Sequence, residues 1–356
     1  MSTPAQRLKE RIAARGPIPF AELMAEALYG EGGYYRGEES PIGTGADFVT
    51  GSSLSPLFGR ATAELVSRLD KVLGRPADVL EVGYGSGIHL RNLLAGLDAD
   101  SDRRVMAVDR VARPLADGVE VMANLADLPV GGLQGLIFSY ELFDALPVHR
   151  LIGKAEGGLG ELWVDLGPEG EFRYAEGELS HPDLRKCLGD GASDLAPGQI
   201  ADVTPDWGPL YGTLAGLLDR GLLVTCDYGF DRVRLLDRRV RLHGTLACYR
   251  RQRVHRDALS WVGEQDLTAH VDFTTLAEVG EKAGLETVTF TRQARWLLAC
   301  GLFDQLQHAD QAGRLEAMDL LAADGMGEEI RVLVQRKGLD PEAVFDLALL
   351  GGTGST

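Results

Sequence analysis

Apolar residues recur along the chain at two different spacings. At the start and in the last third they recur every three to four residues, which predicts amphipathic helices. These helices are expected at about residues 4–14, 19–29, 56–73, 273–283, 292–300, 312–323 and 327–337. Short apolar runs predict buried strands at about residues 77–82, 104–108, 119–123, 134–139, 221–227 and 286–291. Because helical patterns or connections separate most of these runs, we expect an α/β fold with a mostly parallel sheet covered on both faces.

Two segments interrupt this alternation. The glycine-rich stretch GEGGYYRGEESPIGTGADFVTGSS, residues 30–53, carries aromatic side chains and is therefore expected to be an ordered lid or binding loop. Residues 148–220 contain the β-hairpin segments HRLIG, GELWVDL and EFRYAEG, followed by a helix near 204–220. We interpret this second segment as an inserted α+β cap at one end of the sheet.

The expected organisation follows from these segments. It has four parts: N-terminal helices with a covering loop (1–75), a sheet core (76–147 and 221–300), the inserted cap (148–220) and a C-terminal helical region packed on the core (301–356). No repeat of fixed period is visible.

The net charge of the chain disfavours two classes of partner. The chain has 356 residues, 45% of them hydrophobic and 25% charged, which is typical of a folded soluble protein. Its 36 basic and 53 acidic residues give a net charge of −17, which repels nucleic acids and anionic membranes. We therefore expect neither partner. The arginine-rich stretch 232–256 is the one candidate basic patch, and a solvated loop with paired charges is its favoured interpretation.

Cysteine usage and the N-terminus suggest a location. The four cysteines lie far apart, form no CxxC pair and are too few to staple a chain of this length, so we expect reduced thiols. The first twenty residues lack the apolar core of a secretion signal, and no later run is long enough to span a bilayer. A cytoplasmic protein is expected.

The stretch VLEVGYGSGIHLRNLL, residues 79–94, is a strand followed by a glycine loop and a helix. Gly83, Gly85 and Gly87 are spaced GxGxG, whereas a dinucleotide fingerprint would place its third glycine at position 88. Glu81 precedes the loop, and Asp109 follows the next strand, where a carboxylate can bind ribose hydroxyls. The combination favours S-adenosyl-L-methionine (SAM) over NAD, and over a tight turn without a ligand.

Further candidate residues follow later strands. In SYELFDALPVHRL, Glu141 and Asp144 are three apart, and on a short helical turn they would project to one side. They could bind a guanidinium or orient a nucleophile, or they could simply be N-terminal helix charges; the residues favour neither interpretation. Asp227 ends the strand GLLVTCDYG. His270 could be a general base, although a lone histidine is more often structural. The scattered histidines predict no metal site.

Several separated motifs together resemble one known family. GPIPFAELMAEALYG, GGYY, GADFVT, SPLFG, the glycine loop, ELFDALPVHR, CDYG, GTLACYR and GEQDLTAHVDF occur in the order found in the MidA family of SAM-dependent methyltransferases. The resemblance covers about residues 10–334. Mitochondrial members of the family assist the assembly of respiratory complex I by methylating an arginine of one subunit.

The resemblance implies a fold, a cofactor and an acceptor. The fold would be a seven-stranded, mostly parallel, Rossmann-like class I methyltransferase core. SAM would be held by Glu81, Gly83, Tyr84, Gly85, Gly87 and Asp109, with Thr50 and Ser52 of the segment DFVTGSS lying over it. Glu141, which would also contact the cofactor, would border the acceptor site with Asp144 and Asp227, and His270 is a further catalytic candidate.

The leading hypothesis is therefore methyl transfer to a protein arginine, with Glu141 orienting the guanidinium and Asp144 supporting it. The acceptor could be a basic region of a respiratory complex subunit. A SAM-binding assembly factor without catalysis is the main alternative, and an NAD-dependent oxidoreductase is a third. The apolar end AVFDLALLGG could be an edge strand or a homodimer interface.

Overall fold

The computed structural model describes residues 2–37, 51–98, 101–189, 195–322 and 326–350. It confirms the α/β fold class, and the chain divides into two compact units. The hairpin unit comprises Met1–Pro41, Phe143–Trp207 and Gly229–Thr274. The sheet unit comprises Ile42–Leu142, Gly208–Tyr228 and Thr275–Thr356. The segment expected to form the cap, 148–220, lies in the hairpin unit as far as Trp207.

The helices and strands of the described residues have the following bounds. The helices are α1 (Pro4–Arg15), α2 (Phe20–Tyr29), α3 (Gly51–Leu54), α4 (Pro56–Leu73), α5 (Ile88–Leu94), α6 (Trp207–Leu217), α7 (Arg232–Leu235), α8 (Phe273–Lys282), α9 (Gln293–Ala299), α10 (Leu302–His308), α11 (Gln311–Leu321), α12 (Met326–Glu329) and α13 (Leu347–Leu350). The strands are β1 (Ile18–Pro19), β2 (Asp78–Val82), β3 (Val105–Val108), β4 (Val119–Met122), β5 (Leu133–Tyr140), β6 (His149–Gly153), β7 (Leu159–Leu166), β8 (Phe172–Gly177), β9 (Ile200–Val203), β10 (Leu218–Phe230), β11 (Ala247–Arg250), β12 (Arg253–His255), β13 (Asp266–Thr268), β14 (Val271–Asp272), β15 (Glu286–Arg292) and β16 (Ile330–Lys337).

The sheet unit is built on strands in the order β4-β3-β2-β5-β10-β16-β15. The first five run parallel, and β16 is antiparallel to both β10 and β15. The last two residues of β10 lie in the hairpin unit, where they pair with β14 as an eighth strand. The carboxyl ends of β2, β3, β4, β5 and β10 therefore lie at one edge of the sheet.

The longest described helix, α4, begins and ends where its sequence predicts. The Ser55 hydroxyl accepts a hydrogen bond from the Leu57 amide, Pro56 occupies the first turn, and Gly74 ends the helix in a left-handed conformation. The apolar face of α4 is buried, including Phe58 and Leu65, which are fully inaccessible to solvent. Burying one such side chain stabilises the fold by roughly 1.5–3 kcal/mol.

Two local predictions are wrong, one near the end of the sheet unit and one in the segment after β5, and one of the two alternatives for the C-terminus is not observed. Residues 330–337 form β16 instead of continuing the helix expected over 327–337, because their β-branched residues are buried between β10 and β15. Residues 141–148 form turns, so Glu141 and Asp144 do not share a helical turn, and they belong to different units. Within the described part of the apolar C-terminus, residues 347–350 are helical and not an edge strand.

The hairpin unit contains two small antiparallel sheets. The first has the order β1-β7-β6-β9, with β8 paired to β7, which confirms the three predicted hairpin segments as strands. A cluster of buried leucines and valines packs against it, including Leu151, Leu184 and Val203. The second has the order β12-β11-β13, and helices α1 and α2 complete the unit.

The turn between β11 and β12 stores backbone strain. Arg251 and Gln252 have φ angles of 50° and 61°, left-handed values that suit Asn-Gly in two-residue hairpins and are costly for other residues. We expect the double substitution Arg251→Asn, Gln252→Gly to raise the free energy of unfolding by ~1 kcal/mol, measured by urea denaturation. Gln252→Ala is the control, since alanine keeps a Cβ atom; an equal gain there would contradict the strain explanation.

Candidate functional site

Some of the candidate residues lie in the sheet unit and the others in the hairpin unit. In the sheet unit, register aligns the carboxyl ends of four strands: Val82 pairs with Val108 and Ser139, and Tyr140 pairs with Cys226. The residues that follow these positions are Gly83, Asp109, Glu141 and Asp227. They therefore share the sheet edge at which open α/β sheets bind ligands.

The glycine loop has the conformation that its sequence predicts. Gly83, Gly85 and Gly87 have φ angles of 74°, 54° and 70°, which residues with a Cβ atom rarely adopt. The Gly83 amide donates to the carbonyl of Val108 at 2.8 Å. A Cβ atom on Gly83 would lie 2.9 Å from the Leu142 side chain. The absence of a side chain at Gly83 therefore lets Leu142 pack directly against the loop backbone.

Asp109 follows β3 and fixes the glycine loop. Its Oδ2 atom accepts from the Gly85 amide at 3.0 Å, and its Oδ1 atom accepts from the Val111 amide at 2.9 Å. Burial raises the pKa of Asp109, an effect that these two hydrogen bonds oppose. Each carboxylate oxygen can accept a further hydrogen bond, so the side chain can also bind two ribose hydroxyls.

Glu81 is paired with a histidine that the sequence analysis missed. His89 Nδ1 lies 2.9 Å from Glu81 Oε2, and its Nε2 lies 3.3 Å from the Thr62 hydroxyl. Both side chains are buried, and the His89 ring stacks on Phe138 with centroids 4.5 Å apart. The position of His89 could have indicated this pair, because it is a polar residue near the start of α5, the helix that follows Glu81 and the glycine loop.

Tyr84 ties two loops of the sheet edge together. Its hydroxyl donates to the Arg113 carbonyl at 2.7 Å and accepts from the Arg113 amide at 2.6 Å. Burial raises the pKa of this hydroxyl. The side chain therefore holds the loop after β2 against the loop after β3. Ser52 is buried in α3, and Thr50 lies outside the described residues.

The residues at this edge fit SAM. The cofactor carries ribose hydroxyls and positive charge and no phosphate, and the loop is flanked by the carboxylates Glu81 and Asp109. A pyrophosphate would be repelled by the same carboxylates.

The backbone at Glu141 is strained, and Asp227 stabilises the turn that contains it. Glu141 has a φ of 48°, and its amide donates to the Cys226 carbonyl at 2.9 Å. Asp227 is fully buried, and its carboxylate accepts from the Leu142 amide at 3.1 Å and from the Tyr228 amide at 2.8 Å. Asp227 therefore holds the turn that presents Glu141. Strain of this kind is often found at functional positions.

Asp144 and His270 lie in the hairpin unit. Asp144 is buried, and its carbonyl accepts from the amide of Ala269, the residue before His270, at 2.9 Å. The His270 amide donates to the Thr245 hydroxyl at 3.1 Å. The carbonyls of the two neighbouring residues also accept hydrogen bonds. The Trp207 indole donates to the Phe143 carbonyl at 3.0 Å, and the Tyr29 hydroxyl donates to the Ala145 carbonyl at 2.8 Å.

An aromatic and acidic cluster in the same unit was not predicted. The Tyr35 hydroxyl donates to Asp266 Oδ1 at 2.8 Å, and its ring stacks on Tyr29 and meets the edge of Tyr34. Burial, with the charges of Asp266 and Asp144, raises the pKa of Tyr35 well above its ordinary value. Tyr35, Asp144 and Asp266, which come from three separate motifs, thus converge in one place, which spacing along the chain could not reveal.

Neither a metal-binding cluster nor a membrane-spanning helix is found among the residues that the structure describes. No group of three or more histidine, cysteine, aspartate or glutamate side chains there is arranged to hold a metal ion. None of the helices described is both long enough and apolar enough to cross a bilayer.

Comparison with known proteins identifies the family. A family model described as S-adenosyl-L-methionine-dependent methyltransferase matches residues 101–291, more than half of the chain. This chain belongs to that methyltransferase family. Its cofactor is SAM, and the enzyme is a SAM-dependent methyltransferase, as predicted.

Solved structures agree with this assignment. A protein from Burkholderia thailandensis with bound S-adenosyl-homocysteine is 30% identical, with a TM-score of 0.84, and covers 95% of this methyltransferase and 92% of that chain. A native structure from the same organism is also 30% identical, with a TM-score of 0.82 and the same coverage. The non-catalytic alternative is not favoured.

Curated relatives correct the predicted location. The Drosophila melanogaster protein arginine methyltransferase NDUFAF7 homolog, mitochondrial, is 27% identical over 327 residues, covering 79% of this chain and 70% of the relative. The Homo sapiens protein arginine methyltransferase NDUFAF7, mitochondrial, is 25% identical over 322 residues, covering 78% and 69%. Both are mitochondrial by name, which contradicts the cytoplasmic location expected from the sequence.

The raised pKa of Asp109 gives a pH prediction for the methyltransferase. Ribose hydroxyls would donate to the ionised carboxylate, so binding would displace a proton whenever Asp109 is protonated in the free protein. We therefore expect SAM affinity to fall as pH is lowered, starting above the range of an ordinary aspartate, with a slope of up to about one log unit per pH unit. Calorimetric titration at several pH values tests this, and Asp109→Asn should abolish the slope; an unchanged slope in that variant would exclude Asp109.

Proposed function

We propose that this methyltransferase transfers the SAM methyl group to an arginine side chain of a protein. The observation that carries the proposal is the cluster of Tyr34, Tyr35, Asp144 and Asp266 in the hairpin unit. Carboxylates bind guanidinium groups through bidentate hydrogen bonds, and aromatic rings attract them through cation–π contacts. A cation placed there would also offset the negative charge of the two buried carboxylates.

The names of the curated relatives support the same acceptor. Two of them are protein arginine methyltransferases by name. The family resemblance makes a respiratory complex subunit the first candidate acceptor to test. These relatives are distant, so the cluster around Tyr35 supplies the physical argument for arginine.

The sheet unit would supply the cofactor site. We propose that its strand order is that of a class I methyltransferase core, with SAM held by Asp109, Glu81 and the glycine loop from Gly83 to Gly87. Tyr84 would act through its bonds to Arg113, by fixing the loop. SAM, when bound, supplies an electrophilic methyl group on a sulfonium sulfur.

Glu141 is the proposed catalytic carboxylate. A guanidinium stays protonated in proteins, so an acceptor nitrogen that gains a methyl group must lose a proton. A carboxylate within hydrogen-bond reach can orient that nitrogen and take the proton. Asp227 would act as a positioning residue, since its carboxylate is committed to backbone amides of the turn that carries Glu141. Asp144 and His270 remain candidates for orienting the acceptor.

Labelling with tritiated SAM tests the acceptor class. The purified enzyme is added to a lysate of a strain that lacks it, and labelled proteins are analysed by mass spectrometry after hydrolysis. Methylarginine is the expected product; label on lysine or on a small molecule, or no label at all, would overturn the proposal.

Two variants test whether methylarginine formation depends on the cluster around Tyr35. Tyr35→Phe and Asp266→Asn should each reduce methylarginine formation at least about tenfold while leaving the SAM dissociation constant unchanged. Asp206→Asn, an exposed aspartate of the same unit, is the matched control and should retain activity. Equal losses in all three variants would remove the support from this cluster.

A further inference from the structure

The arginine-rich stretch of the hairpin unit is not used by the proposed reaction. Between Asp231 and Arg256 the sequence has nine arginines and two aspartates, in a protein whose net charge is −17. Three of the arginines form ion pairs: Arg232 with Asp272, Arg239 with Asp237, and Arg250 with Glu264. The other six have no ion pair with any residue that the structure describes: Arg234, Arg238, Arg241, Arg251, Arg253 and Arg256. The stretch was expected to be a solvated loop with paired charges, and among the described residues only three of its nine arginines have an ion pair.

Two of these arginines are held against one aromatic ring. The guanidinium carbons of Arg234 and Arg241 lie 4.4 Å and 4.7 Å from the centroid of Phe230. Burial, together with the charges of Arg234 and Arg256, lowers the pKa of Arg241. Like charges gathered at a partly buried place repel each other, and an anion bound among them would relieve that repulsion.

The hairpin β11–β12 continues this charged surface from Arg256. Arg251 lies at its turn and Arg253 on β12, and both are exposed. Val254 is 65% exposed but points to the opposite face of β12, because successive residues of a strand alternate in direction. Trp261 is 48% exposed, with the Arg250 guanidinium 5.0 Å from its ring centroid and the His255 ring 5.5 Å away. The face that carries Arg253 and His255 therefore combines cationic side chains with one exposed aromatic ring.

Backbone strain is concentrated at this hairpin. Among the described residues, four that are not glycine have positive φ: Glu141, Arg251, Gln252 and Trp261. One is the proposed catalytic carboxylate, and the other three belong to the hairpin and the loop that follows it. Strained backbone persists where the surroundings hold it and is common at ligand clamps. The turn residues could be Asn-Gly at lower cost, so the arginine side chain at the turn has a use that the fold alone does not require.

We propose that this arginine surface, formed by Arg234, Arg241, Arg251, Arg253 and Arg256 with Trp261, docks an acidic, partly apolar segment of a protein partner. Arginine binds carboxylates through paired hydrogen bonds, and arginine and tryptophan are frequent energetic centres of protein interfaces. Trp261 supplies the apolar contact. The proposal does not depend on which residue the enzyme methylates.

Two other polyanions fit less well. An anionic bilayer extends well beyond the hairpin and would face the remaining acidic protein, whereas a peptide segment would touch only the arginine surface. Binding of single-stranded nucleic acid relies on bases stacking on several open aromatic faces, whereas Trp261 is one ring and Arg250 already lies over one of its faces. An acidic segment of a protein has neither difficulty.

Fluorescence anisotropy with a labelled peptide that alternates glutamate and leucine tests the surface on the full-length enzyme. Arg251→Glu combined with Arg253→Glu should weaken peptide binding at least about tenfold, because two attractions become repulsions. Arg15→Glu combined with Arg60→Glu, exposed arginines outside the surface, is the matched control and should change binding less than about twofold. The same peptide with lysine in place of glutamate should not bind.

Trp261 reports where the peptide binds. Trp207 and Trp296 are buried and Trp163 is half-buried, so a shift in tryptophan emission that disappears in Trp261→Phe locates the contact at the hairpin. Arg234→Gln combined with Arg256→Gln provides a second test should the hairpin variant fail to fold.

Several outcomes would overturn the proposal. They are absence of peptide binding, equal losses in the control pair, or hairpin-dependent binding of anionic phospholipid vesicles or single-stranded RNA without binding of the peptide. SAM binding should be the same in every variant, which separates failure of this surface from failure of the methyltransferase site.

Discussion

Glu141→Gln should lower methyl transfer by at least about a hundredfold while leaving SAM affinity nearly unchanged, because glutamine keeps the shape of the side chain and cannot accept the proton. The measurement is a single-turnover assay of methylarginine formation beside calorimetric titration with SAM. An effect on turnover without an effect on binding is the signature of an interaction made in the transition state.

The strain at Glu141 supplies an internal check on this assignment. Because its φ is 48°, Glu141→Gly should raise the free energy of unfolding by ~1 kcal/mol and still abolish activity. Glu120→Gln, an exposed glutamate on β4, is the matched control and should retain full activity. Normal turnover in Glu141→Gln would remove Glu141 from the catalytic site.

Asp109→Ala should weaken SAM binding by about a hundredfold, since hydrogen bonds to a charged acceptor contribute roughly 1.5–3 kcal/mol. Two losses combine: the carboxylate for the ribose hydroxyls disappears, and the Gly85 and Val111 amides lose their acceptor, which loosens the glycine loop. The dissociation constants of SAM and S-adenosyl-homocysteine should rise together, because both carry the same ribose.

Asp117→Ala is the matched control for this second prediction. Asp117 is exposed in the same unit, in the segment between β3 and β4, and its loss should leave affinity unchanged. Circular dichroism establishes that Asp109→Ala remains folded. An Asp109→Ala variant that is folded and binds SAM normally would show that the ribose is held elsewhere.

The geometry of the glycine loop and Asp109 was predicted from the sequence because it depends on local order. A strand, a glycine loop and a carboxylate after the next strand are consecutive in the chain, and neighbouring parallel strands bring their ends together without long-range information. The left-handed backbone conformations of Gly83, Gly85 and Gly87 also depend only on the local sequence. Their roles in binding stay predictions until the variants above are measured.

The cluster around Tyr35 in the hairpin unit could not be derived in this way. Tyr35 and Asp266 are 231 residues apart in the chain and meet at 2.8 Å, and neither spacing nor periodicity signals that contact. Asp144 was paired with Glu141 on the assumption of a helical turn, but the chain passes from one unit to the other between them. His89 was overlooked because a buried histidine has no pattern until its partner, Glu81, is seen across from it.

By itself, the sequence determined the α/β class, the positions of the first strands of the sheet, the GxGxG loop and the use of SAM, because each is encoded by neighbouring residues or by motifs in fixed order. Tertiary structure alone decided that residues 330–337 are a strand, that Tyr35 meets Asp266, and that the arginines near the hairpin are only partly paired. The physical reason is the same in each case: burial and charge pairing depend on which distant segments pack together, and local propensity is a weak guide to that outcome.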